Sequence, residues 1–390
     1  MSVDTDPGIR HVSPAFRTFC GEGALESLPR ELKRVGARRA AIICIPAVAA
    51  HTRVMGRVHE ALGERLVGQF DGVEEHSPLP SVERARDFLA EHEADAVIAV
   101  GGGSSVVTAR AATILLGEGT DVRQLCTRRE GGRLVSPKLA APKLPQWVVP
   151  SSPTTAYAKA GAAVRDPETG ERLALYDPKA RAQGVVLDPG MALTAPPRLA
   201  WSAALNIFSM AVEGLQSRRV DPLADAQLAH ALRTVVAWLP GVLKNPDQPA
   251  PRLQLMLAAI LSGQGSDHSG GGLAQALSHA IGPRSSAPNG VVEALLLPHA
   301  MRFNASAVPG RLTAIGSYLG LAGTSSPEDV VTEVERLLEV FEAPRRLQDI
   351  GVEQGALGEA VSHAMDDWAI TAVPRPPEGQ DVRELITGAW

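Results

Sequence analysis

The chain has 390 residues, 45% of them hydrophobic, with 38 Lys plus Arg against 43 Asp plus Glu and a net charge of −5. That balance offers no basic field to a nucleic acid, and no apolar run reaches the roughly 18 residues of a membrane helix. Cys20, Cys44 and Cys126 are too widely spaced for a disulfide framework or a CxxC metal site, and residues 1–7 lack a basic or apolar leader region. The sequence therefore predicts a cytoplasmic protein without nucleic-acid or membrane partners.

In chain order, residues 39–45 read as a buried strand and 47–66 as the helix after it. Helical spacing at 81–93 is followed by a strand at 95–100, which breaks into Gly101-Gly102-Gly103-Ser104-Ser105 before a helix at 106–116. Three glycines in such a turn let backbone N–H groups close on a phosphate at the start of the next helix, although an ordinary tight turn has the same composition. A strand at 146–149 follows the loop carrying Pro137, Pro142 and Pro145. Turn chemistry at 166–170 predicts a hairpin between 163–164 and 173–175, and 184–187 forms a last strand. Repeated strand–helix alternation predicts an N-terminal Rossmann-like parallel sheet with ligands at the carboxyl ends of its strands.

Beyond Pro196 the apolar residues recur at helical spacing in 199–215, 222–239, 251–262, 271–281, 309–321, 327–341 and 354–368. Pro240, Pro249, Pro283 and Pro344 are expected to punctuate these helices. The fold class is α/β plus all-α: a sheet domain over 1–190, a helical domain over 191–390, and an active-site cleft between them.

The glycine loop belongs to an ordered set of motifs: Phe19-Cys-Gly21-Glu-Gly23, Pro150-Ser-Ser-Pro153-Thr154-Thr155, Val186-Leu-Asp188-Pro189, Met210-Ala-Val-Glu213, Ser278-His279-Ala-Ile-Gly282 and Leu297-Pro298-His299-Ala300. With Pro374-Arg375-Pro376 and Val382-Arg383-Glu384-Leu385 near the C-terminus, the chain resembles the iron-containing alcohol dehydrogenase superfamily, and within it the maleylacetate reductases. The resemblance implies NAD or NADP held by Gly101, Gly102, Gly103, Ser104, Ser105, Thr154 and Thr155, and a homodimer acting on a small molecule.

By the same resemblance, the Asp and three His that hold a divalent ion in metal-using members fall on Asn206, Met210, Gln275 and Asn289. None is a carboxylate or imidazole, so no metal is expected, and these four become candidate substrate-binding residues. Maleylacetate reductases retain histidines where this chain has Met210, Gln275, Asn289 and Glu293; His279 alone survives. Ala156-Tyr157-Ala158-Lys159 replaces a small Gly/Ser-rich stretch. Tyr157 and Lys159 are either turned to solvent or donors in the cleft, and with His279 they are the candidate catalytic residues.

By the same resemblance, Arg110 stands at the position of the family's phosphate-loop lysine and reads either as a retained cation or as a solvated helix residue. Asp267-His268 lies in the Gly/Ser-rich 262–272 segment, which reads as a mobile lid or a flexible connection, the connection being favoured. Asp366 and Asp367 read as a solvated helix face, and His299 as a packing or capping residue.

Two functions follow. One is a metal-independent NAD(P)-dependent reductase or dehydrogenase resembling maleylacetate reductase. The other is a non-redox biosynthetic enzyme (cyclisation, elimination, condensation or isomerisation) on the same scaffold. A catalytically inactive subunit ranks last.

Overall fold

A computed structural model describes residues 9–130 and 133–390. They group into two units: 15–200 with 241–263, and 9–14 with 201–240 and 264–390. The units are discontinuous, where the sequence suggests one cut after residue 190.

The first unit is built on a six-stranded sheet of β1 (Arg17–Cys20), β2 (Ala40–Cys44), β3 (Leu66–Phe70), β4 (Ala96–Gly101), β7 (Gln146–Pro150) and β10 (Gly184–Leu187). Between them in the chain lie two hairpins, β5 (Arg128–Glu130) with β6 (Arg133–Val135) and β8 (Gly161–Arg165) with β9 (Arg172–Tyr176). The sheet order is β1-β10-β7-β4-β2-β3, parallel throughout. Every residue of β2, β4, β7 and β10 is buried, as expected of parallel strands covered on both faces. Gly101 pairs with Pro150, so the glycine loop and the Pro150–Thr155 segment leave adjacent strands side by side.

Residues 47–66 are not one helix. Helices Pro46–Ala49 and Thr52–Leu62 are followed by a turn at Gly63 (φ 53°) and then by β3. β3 is an edge strand with all five residues only half-buried, and so lacks the continuous apolar run of its neighbours.

The second unit is helical, with Leu273–Ile281, Asn289–Asn304, Pro309–Tyr318, Pro327–Val340, Leu357–Asp366 and Gly379–Ala389 among its elements. Two expectations change here. Pro240 lies inside Pro222–Lys244, as Pro298 does inside Asn289–Asn304, rather than ending a helix. The expected flexible connection at 262–272 is helical as far as Ser269, within Pro249–Ser269. Its glycines serve close approach. A Cβ at Gly263 would lie 2.6 Å from the Thr155 carbonyl oxygen, and one at Gly265 would lie 2.6 Å from Leu228 Cγ. No helix among the described residues is long and apolar enough to cross a membrane.

Candidate active site

β4 ends on Gly101 at φ 132°, a backbone conformation that needs glycine, and Gly102 caps Gly103–Glu118 without any side-chain hydrogen bond. The first amides of that helix therefore have no side-chain cap, the arrangement that receives a phosphate. Space around the loop is tight. A Cβ at Gly101 would lie 2.6 Å from Ser105 Oγ, at Gly102 3.1 Å from Ser152 Oγ, and at Gly103 3.4 Å from Thr154 Oγ1. Ser105 Oγ is buried without a hydrogen-bond partner, while Ser104 Oγ accepts the His76 amide at 3.2 Å.

The loop over these glycines is held from within. Thr154 caps the short helix Thr155–Tyr157 through the Ala156 amide. The Tyr157 hydroxyl donates to the Ser152 carbonyl oxygen and accepts the Thr154 amide at 2.8 Å. Tyr157 is fully buried, and burial pushes its hydroxyl well above the usual phenol range. It is therefore neither turned to solvent nor poised as a proton donor, and it braces the Ser152–Thr154 backbone. Lys159 is half-buried just beyond. Thr155 is buried, with its carbonyl against the Gly263 helix. Arg110 is also not a solvated helix residue. It is buried and donates to the carbonyl oxygens of Gly161 (2.7 Å), Ala156 (2.8 Å) and Ala180 (3.3 Å), tying the first hairpin strand to this loop.

In the helical unit, three helices meet around the four positions expected to contact substrate. Asn206 and Met210 lie one turn apart on Pro197–Leu215, Gln275 lies on Leu273–Ile281, and Asn289 opens Asn289–Asn304. A Cβ at Gly290 would lie 2.2 Å from the Ser202 carbonyl oxygen and 3.0 Å from Asn206 Cβ, so the first and third helices touch backbone to backbone. Asn289 Oδ1 sits 2.3 Å from the place of a Gly282 Cβ, against the end of the second. The Asn206 amide donates to Glu293 Oε2 at 2.5 Å.

The second helix is anchored at its start by Glu213, whose carboxylate accepts the Ala274 (2.6 Å) and Gln275 (3.1 Å) amides. Burial pushes this carboxyl up to about 7, although the same amides and that of Leu273 pull it down. Four residues past Gln275, His279 Nδ1 is 2.8 Å from Asp367 Oδ2, and the Trp368 ring centroid is 6.2 Å from the imidazole. Asp367 is thus not a solvated face. Its other oxygen caps Trp368–Ala372 through the Ala369 amide.

Residues 14–189 match the family described as iron-containing alcohol dehydrogenase, and residues 201–390 match its C-terminal family. The chain belongs to the iron-containing alcohol dehydrogenase family. It is 28% identical over 390 residues to maleylacetate reductase 2 of Cupriavidus pinatubonensis, covering 100% of this chain and 98% of that protein. It is 28% identical over 380 residues to the lactaldehyde reductase of Escherichia coli K12, covering 95% and 97%. Its fold matches an alcohol dehydrogenase from Oenococcus oeni with a TM-score of 0.88 at 22% identity, over 98% of this chain and 100% of that one.

Within this iron-containing alcohol dehydrogenase fold, three side chains matter that the motifs do not single out for a role at the site. Asp367 reaches His279 across 88 residues of sequence. Its only local signal is the spacing of an Asp two residues before the amide it caps. Glu293 sits one turn after Asn289, so its place on that helix face was readable, but its pairing with Asn206 was not. Arg110 was visible, yet only the structure shows it turned inward.

Proposed function

We propose that this chain is a metal-independent, NAD(P)-dependent reductase or dehydrogenase of the maleylacetate reductase kind, acting as a cytoplasmic homodimer. The single observation that carries this reading is the chemistry at the family's four ligand positions. Asn206, Met210, Gln275 and Asn289 offer three amides and a thioether, and the neighbouring carboxylate of Glu293 already takes the Asn206 amide. Such a set holds Fe²⁺ or Zn²⁺ poorly. Amides of this kind beside one carboxylate suit hydrogen bonding to a substrate carbonyl or hydroxyl instead.

Gly101–Ser105, Thr154 and Thr155 fit a nucleotide pyrophosphate, with uncapped helix amides, no Cβ in the way and a buried Ser105 hydroxyl left to pair. When bound, the nicotinamide supplies or accepts the hydride. Asp367 holds His279 by Nδ1, so the imidazole exchanges its proton with the substrate oxygen through Nε2. Lys159 is a second candidate donor, whereas Tyr157 acts as a brace.

The test is turnover by metal-stripped protein, followed as reduced-nicotinamide absorbance at a temperature where the stripped protein stays folded. Maleylacetate and lactaldehyde, the compounds that give two relatives their names, are the first carbonyls to try. Activity that survives chelation and is lost in His279→Ala supports the reading. Activity that vanishes on chelation and returns with Fe²⁺ or Zn²⁺ overturns it.

The second reading, non-redox chemistry on a biosynthetic intermediate, draws on the same His279–Asp367 and Asn206–Glu293 pairs. These supply proton transfer and hydrogen bonding without needing a hydride. Absence of saturable NAD(P) binding would place that reading first.

A further inference from the structure

His268 belongs to none of the groups assigned above, yet it sits in a second cluster of ligating side chains within the helical unit. His11, Asp221 and His268 each offer one ligand atom, and these atoms lie within 4.8 Å of one another. His11 Nδ1 is 2.7 Å and His268 Nδ1 is 3.7 Å from the same oxygen, Asp221 Oδ2. The two imidazoles are stacked, with centroids 3.9 Å apart and planes 19° from parallel, so both Nδ1 edges face that oxygen. Two ligand atoms on a tetrahedral zinc ion, each about 2.0–2.1 Å from it, are about 3.3 Å apart. The two carboxylate distances bracket that separation, and small side-chain rotations would equalise them.

The surroundings are those of a built site. Asp221 Oδ1 is fixed by the Leu223 (3.0 Å) and Ala224 (3.2 Å) amides at the start of Pro222–Lys244, which aims Oδ2 at the imidazoles. His11 Nε2 is 3.1 Å from Ser13 Oγ, so with Nδ1 on an ion the other ring nitrogen donates to that hydroxyl. Burial alone would raise the Asp221 carboxyl, but His11 and the two amides outweigh it and hold the group below its usual range. The side chain of His268 is 19% exposed, which leaves an ion a way in from solvent.

We propose that His11, Asp221 and His268 form a binding site for a divalent first-row transition ion of the zinc and nickel class, with water completing its coordination. Two imidazoles and one carboxylate favour such ions over Mg²⁺ or Ca²⁺, which prefer all-oxygen shells. The ligands come from three separate stretches: the 9–14 segment, the residue before Pro222–Lys244 and the end of Pro249–Ser269. Ion binding therefore closes long loops and clamps the 9–14 segment onto the helical unit. This role is structural and independent of the hydride chemistry.

Equilibrium dialysis of metal-stripped protein against Zn²⁺, with Co²⁺ visible absorption as a second readout, tests the site. Wild type should take up one equivalent and melt at a higher temperature when loaded. His11→Ala and His268→Ala should each bind more weakly by about a hundredfold, since even loss of a supporting partner weakens metal sites about 10–100-fold. The cobalt ligand-field bands should disappear with the same substitutions. His268→Cys, which restores a ligand, should recover binding. Reduced-nucleotide binding should stay unchanged in His11→Ala, which keeps the result separate from the reading of the glycine loop. Equal Zn²⁺ uptake by wild type and both alanine variants, or no uptake by wild type, overturns the proposal.

Discussion

Gly290→Ala isolates the contact that brings two helices of the proposed substrate site together. The new Cβ would lie 2.2 Å from the Ser202 carbonyl oxygen, 3.0 Å from Asn206 Cβ and 3.1 Å from the Asn206 nitrogen. Two of these atoms are helix backbone and cannot swing aside, so relief requires the helices to part by about 1 Å, at an overpacking cost of about 1–3 kcal/mol. The propensity gain of Gly→Ala, about 0.5–1 kcal/mol, offsets part of that. A net loss of about 1–2 kcal/mol corresponds to a fall in thermal midpoint of about 2–8 °C for a unit of this size. The same parting stretches the 2.5 Å hydrogen bond from Asn206 to Glu293 beyond useful range, so substrate KM should rise as stability falls. Gly56→Ala is the control. That residue lies inside Thr52–Leu62 with nothing within 4 Å of a Cβ, so the substitution should raise the midpoint. The assay is differential scanning fluorimetry beside steady-state kinetics. A Gly290→Ala protein as stable as wild type, with unchanged KM, refutes the packing argument.

Other substitutions separate bracing from chemistry. Tyr157→Phe strips partners from the Thr154 amide and the Ser152 carbonyl, and should lower stability by about 1–3 kcal/mol and weaken nucleotide binding. A collapse of kcat with unchanged nucleotide affinity would restore Tyr157 as a proton donor. Asp367→Asn should leave the fold intact but reduce kcat by up to the 10²–10⁴-fold range of general acid–base catalysis, roughly, and shift the pH–rate profile; an unaltered profile would break the link to His279. Glu213, raised from 4.5 to about 7, favours the folded state most below pH 4.5 and loses that contribution as the pH climbs through about 7. Glu213→Gln cannot titrate, so denaturant midpoints across that window should show wild type losing up to about 3 kcal/mol relative to the variant. Parallel curves for the two proteins would mean that the carboxyl is not perturbed.

Four of the six sheet strands and the glycine loop were legible because their physics is local. Four strands are buried throughout and almost wholly apolar, and Gly101 occupies a conformation that side chains avoid. The edge strands β1 and β3 were not legible, because neither is fully buried and neither carries such a run. The 262–272 segment misled for a related reason. Glycines that permit a helix to touch the Thr155 carbonyl or Leu228 have the same composition as glycines that permit motion. At the candidate site, positions on a single helix could be placed from spacing alone. The pairs on which the proposed chemistry rests, Asn206 with Glu293 and His279 with Asp367, span 87 and 88 residues and depend on tertiary packing. Tyr157 shows the same limit, since nothing in its sequence context says whether its hydroxyl faces a ligand or its own backbone.

The central claim is that the glycine loop binds a nicotinamide nucleotide with no metal at the family's ligand positions. Fluorescence titration of NADH and NADPH into metal-stripped protein, wild type beside Gly103→Glu, tests it most directly. The substituted carboxylate would enter beside Thr154 Oγ1, at the helix start expected to receive the pyrophosphate. Saturable nucleotide binding by the stripped wild type, abolished in the variant, is the predicted result. No saturable binding by wild type, or equal binding by both proteins, would contradict it.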